Sequence, residues 1–171
     1  MNFEIRRAGE ADLAAVRALL HRTWHATFDR AYGADRVEEI TRTWHSDRAL
    51  MMSFARADAV SLVAVSGGEV IGHAFAAVAE NGVLILHRLY IAPERQGSGV
   101  GSALVDAVVA AFPGAKFMSL EVEQGSRKAI RFYERKGFRI VRTVSAKQGD
   151  TLAIPVFIME KQLAEGEAVP E

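Results

Sequence analysis

The feature that most constrains this 171-residue chain is a short apolar run followed by a glycine-rich turn. The apolar run ends at Ile91, Pro93 follows it, glycines stand at 97, 99 and 101, and residues 102–110 contain no helix breaker. This order predicts a strand, a tight turn and a helix that begins among the glycines. Glycines there let the backbone approach a ligand, and the free amides and the helix dipole favour phosphate groups. Such turns also occur without a ligand, so the pattern alone leaves both interpretations open.

The spacing of these glycines excludes two other phosphate-binding motifs. A dinucleotide-binding Gly-x-Gly-x-x-Gly motif would need glycine at position 102, where the chain has Ser102. A Walker loop would need Lys-Ser or Lys-Thr directly after its last glycine, and neither pair follows. The turn therefore predicts a different kind of phosphate site.

Composition limits the classes of protein to which the chain can belong. Half of the residues are hydrophobic, and 21 basic residues balance 21 acidic ones. We expect one globular domain over residues 1–163, without a global attraction to nucleic acid or to an anionic membrane. The chain has no cysteine, which excludes disulfides, thiolate metal sites and a cysteine nucleophile.

The two ends of the chain carry no targeting or membrane-spanning pattern. The first residues are acidic and basic, unlike a signal peptide, and no apolar run approaches the ~20 residues that span a bilayer. We therefore expect a soluble, cytoplasmic protein that contacts no membrane. Residues 164–171 are acidic and predict a disordered tail.

The pattern along the chain predicts the order β-α-α-β-β-β-α-β-α-β-β. Strands are expected at 3–7, 60–65, 70–80, 83–91, 116–123, 138–144 and 151–161, and helices from Glu10, at 35–46, after the glycine turn to Phe112, and at 126–136. This order is typical of an α/β protein with a mixed sheet and helices on both faces. The helical connection predicts that strands 83–91 and 116–123 are parallel. Pro155, inside the last expected strand, predicts an edge position or a bulge.

Two blocks of sequence resemble the GNAT acyltransferase superfamily. The first is Gln96-Gly-Ser-Gly-Val-Gly101, and the second runs from Leu120 through Ala129 and Tyr133-Glu to Gly137-Phe138. The resemblance covers residues 3–163 and implies the GNAT fold, a mostly antiparallel central sheet with one parallel, splayed strand pair. It also implies an N-acetyltransferase that uses acetyl-coenzyme A (acetyl-CoA) as co-substrate.

The resemblance also implies which residues hold the coenzyme. Backbone amides of the first splayed strand bind the acyl carbonyl, the loop binds the pyrophosphate, and Ser126 replaces the asparagine usual in the family at the pantetheine arm. The implied set is Leu89, Tyr90, Ile91, Arg95, Gln96, Gly97, Ser98, Gly99, Val100, Gly101, Ser102 and Ser126. Arg127 and Lys128 are further candidates for contacts to the phosphates.

Three residues are candidates for proton transfer. Tyr133 matches the family's general acid for the departing thiolate, although its spacing with Ala129 and Phe132 also suits a core residue. Glu121 and His87 are alternative bases for the amine, and a path through water is the third possibility. Without a cysteine, the acceptor is expected to attack the thioester directly in a ternary complex.

An aromatic stretch supplies the candidate acceptor site. Trp24, Phe28, Tyr32 and Trp44 either pack in the core or wall a pocket for a small-molecule amine. Two alternatives stay open, a protein or peptide amine as acceptor and a non-catalytic module that binds acyl-CoA. A homodimer is also possible.

No metal is expected. The four histidines outside the strand before the glycine turn do not show the spacing of a metal set with carboxylates; they are His21, His25, His45 and His73.

Overall fold

The computed structural model of the protein describes residues 2–145 and 153–163. The turn expected at 147–150 and the tail at 164–171 lie outside these residues. The described residues contain five α-helices, α1 (Leu13–Tyr32), α2 (Ala34–Trp44), α3 (Asp47–Ala55), α4 (Val100–Ala110) and α5 (Arg127–Arg135). Seven strands are present within the described residues, β1 (Glu4–Arg7), β2 (Ala59–Ser66), β3 (Glu69–Val78), β4 (Leu84–Ile91), β5 (Phe117–Glu123), β6 (Arg139–Val144) and β7 (Val156–Gln162).

The seven strands form one mixed sheet in the order β1-β2-β3-β4-β5-β7-β6. β4 and β5 are parallel, with Leu84 opposite Met118 and Leu86 opposite Leu120. β5 pairs antiparallel with β7, and β7 pairs antiparallel with β6. The predicted mixed α/β fold and its parallel pair are confirmed, because a helical crossover returns the chain in the same direction.

Two features differ from the sequence expectation. Sequence patterns assign no element to residues 47–55, yet Ser46 caps a third helix there by accepting a hydrogen bond from the Ala49 amide at 3.2 Å. Pro155 was expected inside the last strand, at an edge position or a bulge, and its placement inside the strand is wrong. It precedes β7, its carbonyl accepts from the Gln124 amide at 3.0 Å, and β7 lies between two neighbours. A proline outside the ladder needs no edge, so β6 takes the edge position.

The chain divides into two compact units. The first comprises Met1–Ala76 and Arg88–Val108, and its fully buried cluster of Val16, Leu20, Leu50 and Val63 joins α1, α3 and β2.

The second unit comprises Ala77–His87 and Val109–Glu171. Met118, Leu120 and Met159 are buried where β5 and β7 pair. The expectation of one domain over residues 1–163 stays a prediction.

No helix in the described part of the chain combines the length and the apolar character that crossing a membrane would require.

Candidate active site

The glycine turn forms a loop that leads directly into α4. Gly97 and Gly99 have φ of 78° and 90°, and the first helical bond runs from the Ala103 amide to the Gly99 carbonyl at 3.0 Å. A Cβ added at either glycine would meet no atom within 4 Å. Packing therefore does not demand glycine here. The left-handed backbone does, and it leaves an open surface beside the first amides of a helix.

Side chains on the preceding turn hold the loop in place. The Gln96 side-chain amide donates to the Ile91 carbonyl at 3.3 Å, and the Ser98 hydroxyl donates to the Arg95 carbonyl. Both bonds tie the loop to the chain that leaves β4. Of the residues expected to hold the coenzyme, Gln96 and Ser98 therefore also act as supports of the loop itself.

A glycine that sequence reasoning did not single out seats α4 on the sheet. A Cβ on Gly72 of β3 would lie 2.9 Å from Leu104, 3.0 Å from Val100 and 3.1 Å from Ile91. Such distances are too short for carbon atoms, so glycine lets the first turn of α4 approach β3 closely. A lone glycine inside an apolar strand was the only available signal.

The predicted acceptor residues form one aromatic cluster in the first unit. The Trp24 ring centroid lies 4.6 Å from Phe28 and 5.6 Å from Trp44, and Tyr32 lies 6.0 Å from Phe28. The cluster also includes His45, 5.7 Å from Trp24. Trp24 is buried whereas Trp44 is 40% exposed, so the cluster extends from the core to the surface.

Tyr90 connects the aromatic cluster to β4. Its ring lies 6.3 Å from Trp24 and 6.0 Å from His45. Burial raises the pKa of its phenol, so the hydroxyl stays protonated at neutral pH. Sequence analysis assigned Tyr90 only a backbone role, and the structure adds a side-chain contact with the predicted acceptor residues.

A partly buried arginine, Arg88, lies in the same unit, and sequence reasoning missed it. Arg88 donates to the Ser53 hydroxyl at 3.0 Å, and its guanidinium lies 5.1 Å from the Phe75 ring. Burial, and then the charge of Arg88, lower the pKa of His45 and of His73 to about 3. Both histidines are therefore neutral at physiological pH.

In the second unit, Tyr133 is buried on α5. Its ring lies 5.1 Å from Phe132 and 5.7 Å from Phe138. The core position that its spacing suggested is therefore present. The contacts are made by the ring, so they do not decide whether the hydroxyl also acts as an acid.

The two candidate bases are exposed strand residues of the second unit. Glu121 lies opposite Ile158 in the β5–β7 ladder, and His87 directly follows the paired segment of β4. Exposure leaves both side chains accessible to solvent, as a proton acceptor requires.

Ser126 precedes α5 without capping it. Its hydroxyl donates to a Glu123 carboxylate oxygen at 3.0 Å. The hydroxyl of the residue that replaces the family's asparagine is thus held by a neighbouring side chain. A contact to the pantetheine arm would have to use the remaining acceptor capacity of this oxygen.

A cavity of about 630 Å³ lies among α1, α2 and α3. His45 lines it and so joins it to the aromatic cluster, and His21 and Glu38 lie on its wall. Hydrogen bonds from His21, and then from His25, hold the pKa of the Glu38 carboxyl below its usual range. Sequence spacing did not indicate this grouping of histidines with a carboxylate, because α2 folds back beside α1 and only then brings Glu38 to them; the expectation of no metal stays a prediction.

Residues 14–138 match the model of the acetyltransferase (GNAT) family. The match includes the glycine loop, α4, β5 and α5, which are the elements described above. This chain belongs to the GNAT acetyltransferase family. The predicted family, fold and N-acetyltransferase activity are therefore confirmed.

Named relatives and solved structures agree with this assignment. The chain is 28% identical to the N-acetyltransferase YhfO of Bacillus subtilis over 143 residues, which are 78% of this chain and 88% of the relative. It is similar in structure to the PaiA N-acetyltransferase of Thermoplasma acidophilum in complex with coenzyme A, with a TM-score of 0.81, 24% identity and coverage of 95% and 100% of the two chains. The ribosomal-protein-S18-alanine N-acetyltransferase of Escherichia coli has the same fold, with a TM-score of 0.72, 19% identity and coverage of 98% and 99%.

Proposed function

We propose that this GNAT protein transfers the acetyl group of acetyl-CoA to a primary amine of a small molecule. The observation that carries the proposal is the loop before α4, where two left-handed glycines leave open space beside the first turn of the helix. Such a loop binds the pyrophosphate of a coenzyme through backbone groups and the helix dipole. The structural neighbour from T. acidophilum was crystallised with coenzyme A, which supports this ligand.

The reaction is a direct attack of the amine on the thioester. A carbon–nitrogen bond forms at the acyl carbon and the carbon–sulfur bond breaks. Backbone amides at residues 89–91 stabilise the carbonyl oxygen, and Glu121, His87 or water accepts the amine proton. The Tyr133 hydroxyl protonates the departing thiolate and recovers its proton from solvent.

The aromatic cluster supports a small acceptor. Its rings offer an apolar wall, and the adjoining cavity of about 630 Å³ lies within the ~300–1,000 Å³ usual for small-molecule sites. A protein acceptor would instead be expected to use an extended surface. The size of this concave surface supports a small acceptor, while its lining residues are mainly polar and include only His45 from the aromatic cluster.

The first test measures coenzyme binding and turnover in the wild-type protein. Acetyl-CoA should raise the melting temperature, because a ligand that binds the native state stabilises it by mass action. A panel of small amines and short peptides, assayed by thiol release, should show turnover with a small amine. Turnover with peptides alone would overturn the acceptor class, and coenzyme binding without turnover on any amine would indicate a non-catalytic module.

The second test removes only the Tyr133 hydroxyl. Tyr133→Phe keeps the ring contacts with Phe132 and Phe138, so the melting temperature should stay within a few degrees. The turnover number should fall by ~100-fold if the phenol protonates the thiolate, while the dissociation constant of acetyl-CoA stays the same. Wild-type turnover in this variant would restrict Tyr133 to packing.

A further inference from the structure

Two histidines of α1 and one glutamate of α2 converge on the surface of the first unit. His21 Nε2 lies 2.6 Å from Glu38 Oε2, and His25 Nε2 lies 3.0 Å from the same oxygen. The candidate donor atoms of the three residues all lie within 4.8 Å of one another. The histidines are four residues apart on one helix, so both rings project from the same face.

We propose that His21, His25 and Glu38 form a zinc site that joins α1 to α2. Zinc bonds of about 2.0–2.2 Å place donor atoms ~3.3 Å apart around a tetrahedral ion. The separations of 2.6 and 3.0 Å from Glu38 Oε2 are shorter than this by about 0.7 and 0.3 Å, and no separation exceeds 4.8 Å, so side-chain rotations must open the Glu38 contacts to admit the ion. This proposal does not depend on the proposed function, which assigns no chemical step to these three residues, although His21 and Glu38 also lie on the wall of the cavity among α1, α2 and α3.

The position of Asp29 behind His25 is a second geometric argument for the ion. The Nδ1 of His25 lies 2.7 Å from Asp29 Oδ1, while its Nε2 faces Glu38. With a metal on Nε2, the remaining Nδ1–H donates to Asp29. A carboxylate behind a ligating histidine is the usual support of such a ligand.

The donor types select the class of metal. Two imidazoles and one carboxylate suit zinc and similar transition metals, whereas magnesium and calcium prefer oxygen ligands. The side chains of His21 and Glu38 are about half exposed, at 50% and 49%, so an ion can enter from solvent. Three protein ligands leave a fourth position for water, as in open zinc sites.

The test uses the full-length protein and zinc chloride in isothermal titration calorimetry. We expect one zinc ion per chain and a higher melting temperature on zinc addition, because the ion binds the folded helix pair.

Variants of neighbouring acidic residues distinguish zinc binding by the assigned ligands from a general attraction of zinc to negative surface charge. Glu38→Gln should weaken zinc binding by at least tenfold, and Asp29→Asn by ~10- to 100-fold, as expected for a support of a ligand. Glu39→Gln removes the same charge from the next position of α2, outside the cluster, and should bind zinc like the wild type.

Circular dichroism checks that each variant is folded. Absence of stoichiometric binding, or an equal loss in Glu38→Gln and Glu39→Gln, would identify the cluster as an ion-pair network alone.

Discussion

At the scale of single residues, the proposed mechanism offers two side chains, Glu121 and His87, that can accept the amine proton. Glu121 and His87 are both exposed strand residues of the second unit, so neither is excluded by burial. A carboxylate also attracts a cationic amine, which favours Glu121. Their side chains can be changed without disturbing buried packing, so a direct comparison is possible.

The two candidate bases predict opposite pH profiles. Glu121→Gln and His87→Gln each keep hydrogen-bonding capacity while they remove the basic group. The variant that lacks the true base should lose the acidic limb of the rate–pH profile, and the other should retain it. Both profiles are measured with one acceptor, because ionisation of the amine contributes its own limb. Two wild-type profiles would leave deprotonation to water.

At the scale of elements, the loop before α4 combines two requirements that can be separated by mutation. Gly99 needs glycine for its backbone conformation and, in the proposed function, for close approach of the coenzyme. Gly67, in the turn between β2 and β3, has φ of 58° and also no atom within 4 Å of an added Cβ. Gly67 therefore needs glycine for its backbone conformation, as Gly99 does, but it has no proposed contact with the coenzyme.

We expect Gly99→Leu and Gly67→Leu to affect stability alike and binding differently. A leucine in left-handed backbone costs about 1–2 kcal/mol, so both variants should unfold at lower urea concentration. Only Gly99→Leu should abolish the rise in melting temperature on addition of acetyl-CoA, because its side chain fills the space beside the helix amides. An unchanged rise in Gly99→Leu would remove the loop from the coenzyme site.

At the scale of the whole molecule, buried neutral histidines link folding to pH. His45 and His73 are 5% and 0% exposed, and their pKa is about 3 because of burial first and of the charge of Arg88 second. An unfolded histidine takes up a proton below about pH 6.5, whereas these two stay neutral in the folded protein down to about pH 3. The unfolded state therefore binds more protons between these limits. Stability is complete above about pH 6.5 and is lost as the pH falls towards 3.

Urea unfolding between pH 7 and pH 5 should reveal this linkage. Each buried histidine should lower the free energy of unfolding by up to ~1.4 kcal/mol per pH unit once the pH is well below 6.5. In His45→Gln the free energy of unfolding should fall less steeply with decreasing pH, by the contribution of one histidine. His73→Gln should reduce this pH dependence by the same amount. Asp12, whose pKa is held low mainly by its hydrogen bonds with Arg6, contributes only nearer its ordinary pKa of about 4, below this window. An identical slope in both variants and the wild type would contradict the assignment.

The sequence by itself determined the features that depend on local chemistry. The strand, turn and helix around Gly97 and Gly99, and the parallel pair of β4 and β5, could be predicted because turn residues and crossover length act along the chain. The resemblance in two blocks identified the family and the candidate roles of Tyr133 and Ser126, although those roles stay predictions. The helix at residues 47–55 escaped prediction, since a nine-residue helix shows little periodicity.

Only the tertiary structure decided which distant side chains meet. Sequence analysis did not single out Gly72, and only the packing of α4 against β3 showed why glycine is needed there. His45, His73 and Arg88 come from three separate segments, and nothing along the chain indicates that they share one buried region. Glu38 reaches His21 and His25 only because α2 folds back beside α1 after Gly33. Local propensity acts over a few residues, whereas burial, charge coupling and metal ligation depend on distances that only the folded chain sets.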